Sequence, residues 1–370
     1  MIIGIDASRT ITGQRTGTEA YATFLLKALV PLATAQNHQI RLYFNQPPPT
    51  KLFPQSPQVE HVVIPFPRLW THLRLAAELH RRPPDVFFTP AHVIPVSYFG
   101  PSVATIHDLG YHHFPEAHPR RQLAYLRWST RHNGRRARRI VADSQATKQD
   151  LIQLDGIPAE KIDVIYPGVD PALQPVTDEA VLTAVYEKHH ITPPYLLYLS
   201  TLQPRKNLVR LIQAYAASGL PHQLVLAGKP GWLSQPILNT ISNLQSPISQ
   251  KIILTGFVDE TDKAVLLSGA TAVLYPSLYE GFGFPVLEAQ ACGTAVLTAT
   301  TSSLPEVAGD AALLVDPLDT AAITQRIQRL VQDKAYRQEL VQRGFENVKR
   351  FSWEETAVQL LQTLEKVHHE

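Results

Sequence analysis

Short apolar runs alternate with helix-length amphipathic segments along the whole chain, and this limits the fold more than any other feature of the sequence. In the first half the runs are 2–6, 40–44, 62–65, 86–89, 103–107, 140–143 and 164–166. In the second half they are 195–200, 223–227, 251–255, 272–275, 295–298 and 312–315. Several are continuous and β-branched, the pattern of parallel strands buried on both faces. Strand–helix alternation of this kind predicts doubly wound α/β architecture. A length of 370 residues exceeds one ordinary core, so two such domains are expected. The stretch 167–175, with three prolines and one glycine, marks the boundary and divides the chain into 1–170 and 171–350. A final helix begins at 351–355, with Ser352 as N-cap and Glu355 in the capping-box position. Residues 45–57 carry five prolines and predict an irregular surface loop.

Composition excludes several classes. An apolar content of 44% with 18% charged residues is that of a soluble globular protein, and no stretch of about 20 apolar residues runs unbroken enough to cross a bilayer. One cysteine, Cys292, permits no intramolecular disulfide. With a strand-like rather than signal-like N-terminus, the expected location is a reducing cytoplasm. The net charge of +2 divides into +6 for residues 1–170 and −4 for 171–370. Within 68–139 there are 12 arginines against 4 acids, which is a patch and too little for a nucleic-acid-binding domain.

Three constellations could carry chemistry. Glu280-Gly281-Phe282-Gly283-Phe284-Pro285-Val286-Leu287-Glu288 sets two carboxylates across a glycine-punctuated loop and a helix start. Bare backbone donors flanked by two acceptors suit a polyhydroxylated or anionic ligand. A glycine turn followed by a helix-dipole glutamate is the bland alternative. Arg205 and Lys206 follow a predicted strand and open a predicted helix over 207–217, an arrangement suited to an anion. A solvated basic turn is the competing reading. His107 and Asp108 end a predicted strand at the edge where open α/β sheets bind ligands. A lone structural histidine, or a chance pair, would look the same. Gly228 and Val258 follow two further strands. Asp6, at the first strand end, is read as a turn former. There is no Asp-x-Asp triplet and no histidine or cysteine cluster with zinc spacing, so no metal or other cofactor is expected.

Together these segments resemble retaining glycosyltransferases of the GT-B fold, family 4. The element 280–288 is similar to that family's Glu-x7-Glu motif. Thr12-Gly13-Gln14-Arg15-Thr16-Gly17-Thr18-Glu19-Ala20-Tyr21 resembles its glycine loop, 105–109 its histidine-bearing strand end, 167–170 its interdomain linker and 200–207 its diphosphate-binding turn. The resemblance implies two Rossmann-like domains facing across a cleft. The first would bind acceptor and be completed by the C-terminal helix; the second would bind a nucleotide-diphosphate sugar. It implies retaining, metal-independent hexosyl transfer by front-face attack, from a donor of the UDP-glucose or GDP-mannose type to a saccharide or lipid-linked acceptor in polysaccharide assembly. Arg205 and Lys206 would hold the diphosphate. Glu280 and the backbone of Gly281, Phe282, Gly283 and Phe284 would hold the hexose, and Glu288 the ribose. His107 would contact the donor sugar. Gly17 and Thr18 would approach the donor phosphate, although Thr16-Gly17-Thr18 stands where the family usually has adjacent glycines. Gly228 and Val258 would line the base, and Asp108 would orient His107 or meet the acceptor.

Other readings stay open. A nucleotide-sugar epimerase would use the same architecture. A non-catalytic peripheral membrane protein would use the arginines: Arg127, Arg131, Arg135 and Arg138 recur at spacings of 4, 4 and 3 and are expected on one helical face. That face could seat the protein on an anionic inner membrane surface, or be only a solvated face with salt links.

Overall fold

The computed structural model describes residues 1–11, 17–49, 52–66, 68–91 and 93–370. These form two compact units. The first comprises Met1–His112, Arg120–Gly168 and Phe351–Glu370, and the second His113–Pro119 and Val169–Arg350. Residues 12–16 of the glycine-loop motif lie outside the described residues, as do Thr50, Lys51, Pro67 and His92.

The first unit is built on seven parallel strands: β1 (Ile2–Asp6), β2 (Gln39–Phe44), β3 (Val59–Val63), β4 (Val86–Thr89), β5 (Ser102–Ile106), β6 (Arg139–Ala142) and β7 (Ile162–Val164). Their order is β3-β2-β1-β4-β5-β6-β7, with Ile3 in register with both Ile40 and Val86. The second unit holds β8 (Tyr195–Leu199), β9 (Gln223–Ala227), β10 (Ile252–Gly256), β11 (Ala272–Tyr275), β12 (Val296–Ala299) and β13 (Leu313–Val315), in the order β10-β9-β8-β11-β12-β13. Among the described residues every ladder between these strands is parallel, which is why most of the strand sequences are largely apolar. Each sheet reverses its winding once, between β1 and β4 and between β8 and β11. Helices on either side diverge there, so the carboxyl ends of those strands border a crevice in each unit.

The sequence places most strands within one or two residues; β3 starts three residues before the expected 62–65, and β7 is shifted toward 162–164 from the expected 164–166. The helix after β8 departs from expectation. Pro204–Lys206 form one 3-10 turn, Asn207 takes a left-handed conformation at φ 62°, and the helix proper is Leu208–Ser218. The two cations therefore precede the helix rather than open it. Asn207 suits that bend because a short polar side chain tolerates the left-handed region. Its amide donates to the carbonyls of Pro276 and Pro317 at 3.0 and 2.6 Å, fixing the turn against the loops that follow β11 and β13.

The last helix, Trp353–His369, belongs to the first unit. Ser352 caps it by accepting from the Glu355 N–H at 3.0 Å. The Glu355 carboxylate accepts from Gln359. Its apolar face, including Leu361, Leu364 and Val367, is buried, and Trp353 meets the rings of Tyr21 and Phe24. Among the described residues, no helix is long and apolar enough to cross a membrane.

Candidate active site

In the second unit the chemistry gathers at the β8/β11 crevice. The loop from β11 carries Glu280 back toward the 3-10 turn that follows β8. Lys206 Nζ donates to Glu280 Oε1 at 2.6 Å and to the Tyr275 hydroxyl at 2.7 Å, and Tyr275 in turn donates to the same carboxylate oxygen at 2.8 Å. Arg205 Nη1 donates to Glu280 Oε2 at 3.2 Å and to the Tyr279 carbonyl at 2.5 Å. Glu280 and Lys206 are buried. Burial alone would raise the Glu280 carboxyl, but the charges of Lys206 and Arg205 outweigh it and lower its pKa to about 2. Two cations against one carboxylate leave a buried centre of net charge +1, which attracts a further anion. The loop is held from behind: Glu280 N–H donates to Ser302 Oγ, and Ser303 Oγ donates to the carbonyls of Glu280 and Phe282.

The glycines of this region have structural causes. Gly283 at φ 116° caps the helix Phe284–Ala291, and Gly228 at φ 152° ends β9 so close to β8 that a Cβ there would stand 1.9 Å from the Ser200 carbonyl oxygen. Gly281 and Phe282 are buried beside Glu280 along the chain, and the Phe282 and Phe284 rings meet edge to face at 5.1 Å. Val258 lies just past β10, half-buried.

Glu288 lies in the second turn of that helix, and its partner was not visible in the sequence. Lys263, on helix Glu260–Gly269, reaches it at 2.5 Å. Burial works to lower the lysine's pKa; Glu288, Glu260 and Asp170 outweigh it and the net shift is upward. Cys292 is pushed up to about 12, chiefly by burial and then by the Glu288 charge, so it is an inert thiol.

In the first unit His107 follows β5 directly. Its Nδ1 lies 2.6 Å from Asp143 Oδ2, at the end of the neighbouring β6, and its Nε2 lies 2.8 Å from the Pro90 carbonyl. A carbonyl only accepts, so Nε2 carries hydrogen, and a second proton is shared between Nδ1 and Asp143. Burial opposes the charged ring, but the charge and hydrogen bond of Asp143 prevail and the His107 pKa is raised. The carboxylate that orients this ring is therefore Asp143, whereas Asp108 accepts from the Gly110 N–H in a local turn. Sequence reading passed over Asp143, although it ends a strand one position along the sheet from His107. Tyr21 packs edge-on against the imidazole at 4.7 Å. Gly17 and Thr18 form the first turn of helix Gly17–Ala35, and Asp6 accepts from the Ser8 N–H and hydroxyl as a turn former.

The expected four-arginine face does not form. Arg138 lies beyond the end of helix Arg120–Arg136 and donates to the Val367 carbonyl, and Arg131 is paired with buried Asp155 at 3.1 Å. Among the described residues, no group of three or more His, Cys, Asp or Glu side chains could hold a metal ion.

Two family models match, glycosyl transferases group 1 over residues 186–347 and glycosyltransferase family 4 over residues 15–173. The chain is 32% identical over 264 residues to O-antigen chain mannosyltransferase B of Escherichia coli, covering 70% of this chain and 69% of that protein. It is 33% identical over 231 residues to the serotype-specific mannosyltransferase WbdA of Escherichia coli, covering 60% of this chain but only 28% of that protein. Among solved structures it resembles sucrose-phosphate synthase of Thermosynechococcus elongatus, with TM-score 0.77 and 20% identity over 99% of this chain and 98% of that one. It also resembles Anabaena HepE in complex with UDP-glucose, with TM-score 0.76 and 20% identity over 99% of both chains.

Proposed function

Since the chain belongs to glycosyltransferase family 4 and is a hexosyltransferase of the GT-B fold, we propose that it transfers a mannosyl residue from GDP-mannose to a saccharide or lipid-linked acceptor during polysaccharide assembly. The observation that carries this reading is the Arg205–Lys206–Glu280 centre at the crevice of the second sheet. Its surplus positive charge stands where a nucleoside diphosphate would sit, and the Glu288 carboxylate lies beyond it on the helix that follows the loop. The mannosyl choice rests on the printed activities of the two relatives above, and UDP-glucose is the competing donor.

In this mechanism Arg205 and Lys206 stabilise the charge that grows on the departing diphosphate, a role otherwise filled by a divalent cation. The Glu280 carboxylate, kept ionised, spends part of its acceptor capacity holding both cations in place. The Gly281–Phe284 backbone and Glu280 receive the hexose, and Glu288, held by Lys263, receives the ribose. Gly228 and Val258 border the base. In the first unit, which receives the acceptor, His107 is fixed by Asp143, and Asp108 follows it in the chain. Retention follows if the leaving phosphate takes the acceptor's proton as the new bond forms on the same face.

The test is release of GDP from GDP-mannose in the presence of a mannosylated acceptor, with and without EDTA, for the natural protein and Glu280→Gln. Because the triad is buried, the isosteric amide is a better probe than alanine. Turnover unaffected by EDTA and cut by orders of magnitude in the variant supports the proposal. Turnover retained in a folded Glu280→Gln protein overturns the site.

A further inference from the structure

The loop after β9 is stitched to the stretch that leads into the two cations. The Leu202 N–H donates to the Lys229 carbonyl at 3.0 Å, and the Gly231 N–H donates to the Leu202 carbonyl at 2.8 Å. Leu202 and Pro230 thereby form an isolated parallel bridge. The approach is close enough to require glycine: a Cβ on Gly231 would stand 2.9 Å from Thr201 Cγ2 and 3.0 Å from the Leu202 carbonyl oxygen. The next two residues, Trp232 and Leu233, project from this seam and are 41% and 54% exposed. Leu233 takes φ 57°, in the left-handed region that a leucine rarely adopts. Strain of this kind persists only where the surroundings impose it, and it gathers at binding sites. A lone exposed aromatic needs no cause, but one held on a rigid, strained seam beside a reactive centre does.

The segment His113–Pro119, which groups with the second unit, ties the indole to that centre. His118 packs against Trp232 with ring centroids 5.7 Å apart and planes tilted by 45°. His113 stacks on Tyr279 at 4.6 Å with planes 28° apart. Tyr279 directly precedes Glu280, and its carbonyl accepts from Arg205. The five peptide steps from His113 to His118 span at most about 18 Å between Cα atoms. The 3-10 turn Pro115–Ala117 shortens that span further. The exposed indole therefore lies only a few sugar rings from the Glu280 loop.

We propose that Trp232, with His118 beside it, is an outer subsite for a saccharide acceptor and holds a pyranose ring a few sugars away from the one that receives the hexose. The proposal deepens the transferase reading and rests on it. The chemistry of the surface selects a sugar. The electron-rich face of an indole attracts the weakly positive C–H face of a pyranose, and the indole N–H can donate to a sugar hydroxyl. A diphosphate needs charge, and the buried cation of this unit is Lys206 rather than anything on the indole. A flat ring with two side-chain torsions, fixed on a stitched loop, also gives up little freedom on binding. Binding energy gained this far from the reacting atoms would favour longer acceptors over short ones.

The experiment is calorimetric titration of methyl α-mannoside and of an α-linked mannotetraose, with GDP present, into the natural protein, Trp232→Ala and Trp232→Phe. Tryptophan emission is followed in parallel. The tetrasaccharide should bind the natural protein more tightly than the monosaccharide and change its emission. Trp232→Ala should lose about fivefold or more of the tetrasaccharide affinity. Trp232→Phe should keep most of that affinity while losing most of the emission change, with thermal midpoint and GDP affinity the same in all three proteins. Equal or absent binding of the two saccharides by the natural protein, or undiminished tetrasaccharide affinity in Trp232→Ala, overturns the proposal. So does a loss of GDP affinity in that variant, which would make the indole a base contact. Saccharide binding is read without turnover and GDP binding is read separately, so failure here is distinct from failure of the transferase reading.

Discussion

Removing the Glu280 charge should cost the second unit a defined amount of stability, and only in a defined pH range. The carboxyl falls from an ordinary 4.5 to about 2 in the folded chain. A drop of that size corresponds to roughly 3 kcal/mol. The folded pKa is the depressed one, so this stability is fully present above pH 4.5 and is lost as pH falls from there toward 2. Glu280→Gln keeps the shape and the hydrogen-bond acceptor but leaves buried Lys206 and half-buried Arg205 against a neutral amide. At pH 7 its thermal midpoint should lie about 6–12 °C below that of the natural protein, at about 2–4 °C per kcal/mol. By pH 3 the gap should have narrowed. In a double-mutant cycle Lys206→Met should lose much less in the Glu280→Gln background than alone, a coupling of about 1–3 kcal/mol. A pH-independent gap, or strict additivity, would refute the account of the triad as a coupled buried centre.

Other expectations follow from the same geometry. Asp143→Asn removes the charge that lifts His107, so burial should then dominate and the ring should titrate below its usual 6.5; an unchanged midpoint in nitrogen-detected histidine NMR would contradict this. Gly228→Ala should destabilise by about 1–3 kcal/mol or more, since its methyl would collide with the Ser200 carbonyl, and an unchanged melting curve would show that the β9 end relaxes freely. Lys263→Met should weaken nucleotide-sugar binding about tenfold by releasing Glu288, a loss of about 1–2 kcal/mol, with calorimetry as the readout; undiminished affinity would remove Glu288 from the donor site.

Much of this was legible because parallel sheets write themselves plainly. Strands such as Val86–Thr89 and Val296–Ala299 are buried along their whole length, and continuous apolar runs betray them. The loop glycines and Glu280 stood out because backbone demands at φ 116° restrict the residue type. What stayed hidden was pairing across sequence distance. Lys263 and Glu288 are 25 residues apart, His107 and Asp143 are 36 apart, and nothing local marks either as a couple. The arginine face failed for a related reason. Helical spacing predicted direction correctly within the helix, but it could not see that Asp155 would claim Arg131 or that the helix would end before Arg138.

The most direct test of the central claim is calorimetric titration of GDP-mannose, GDP, UDP-glucose and UDP into the natural protein and Lys206→Ala, each with EDTA. The account predicts that GDP and GDP-mannose bind, that EDTA makes no difference, and that binding is lost in a variant that still folds. Binding of none of the four, or equal binding by the folded variant, would contradict it.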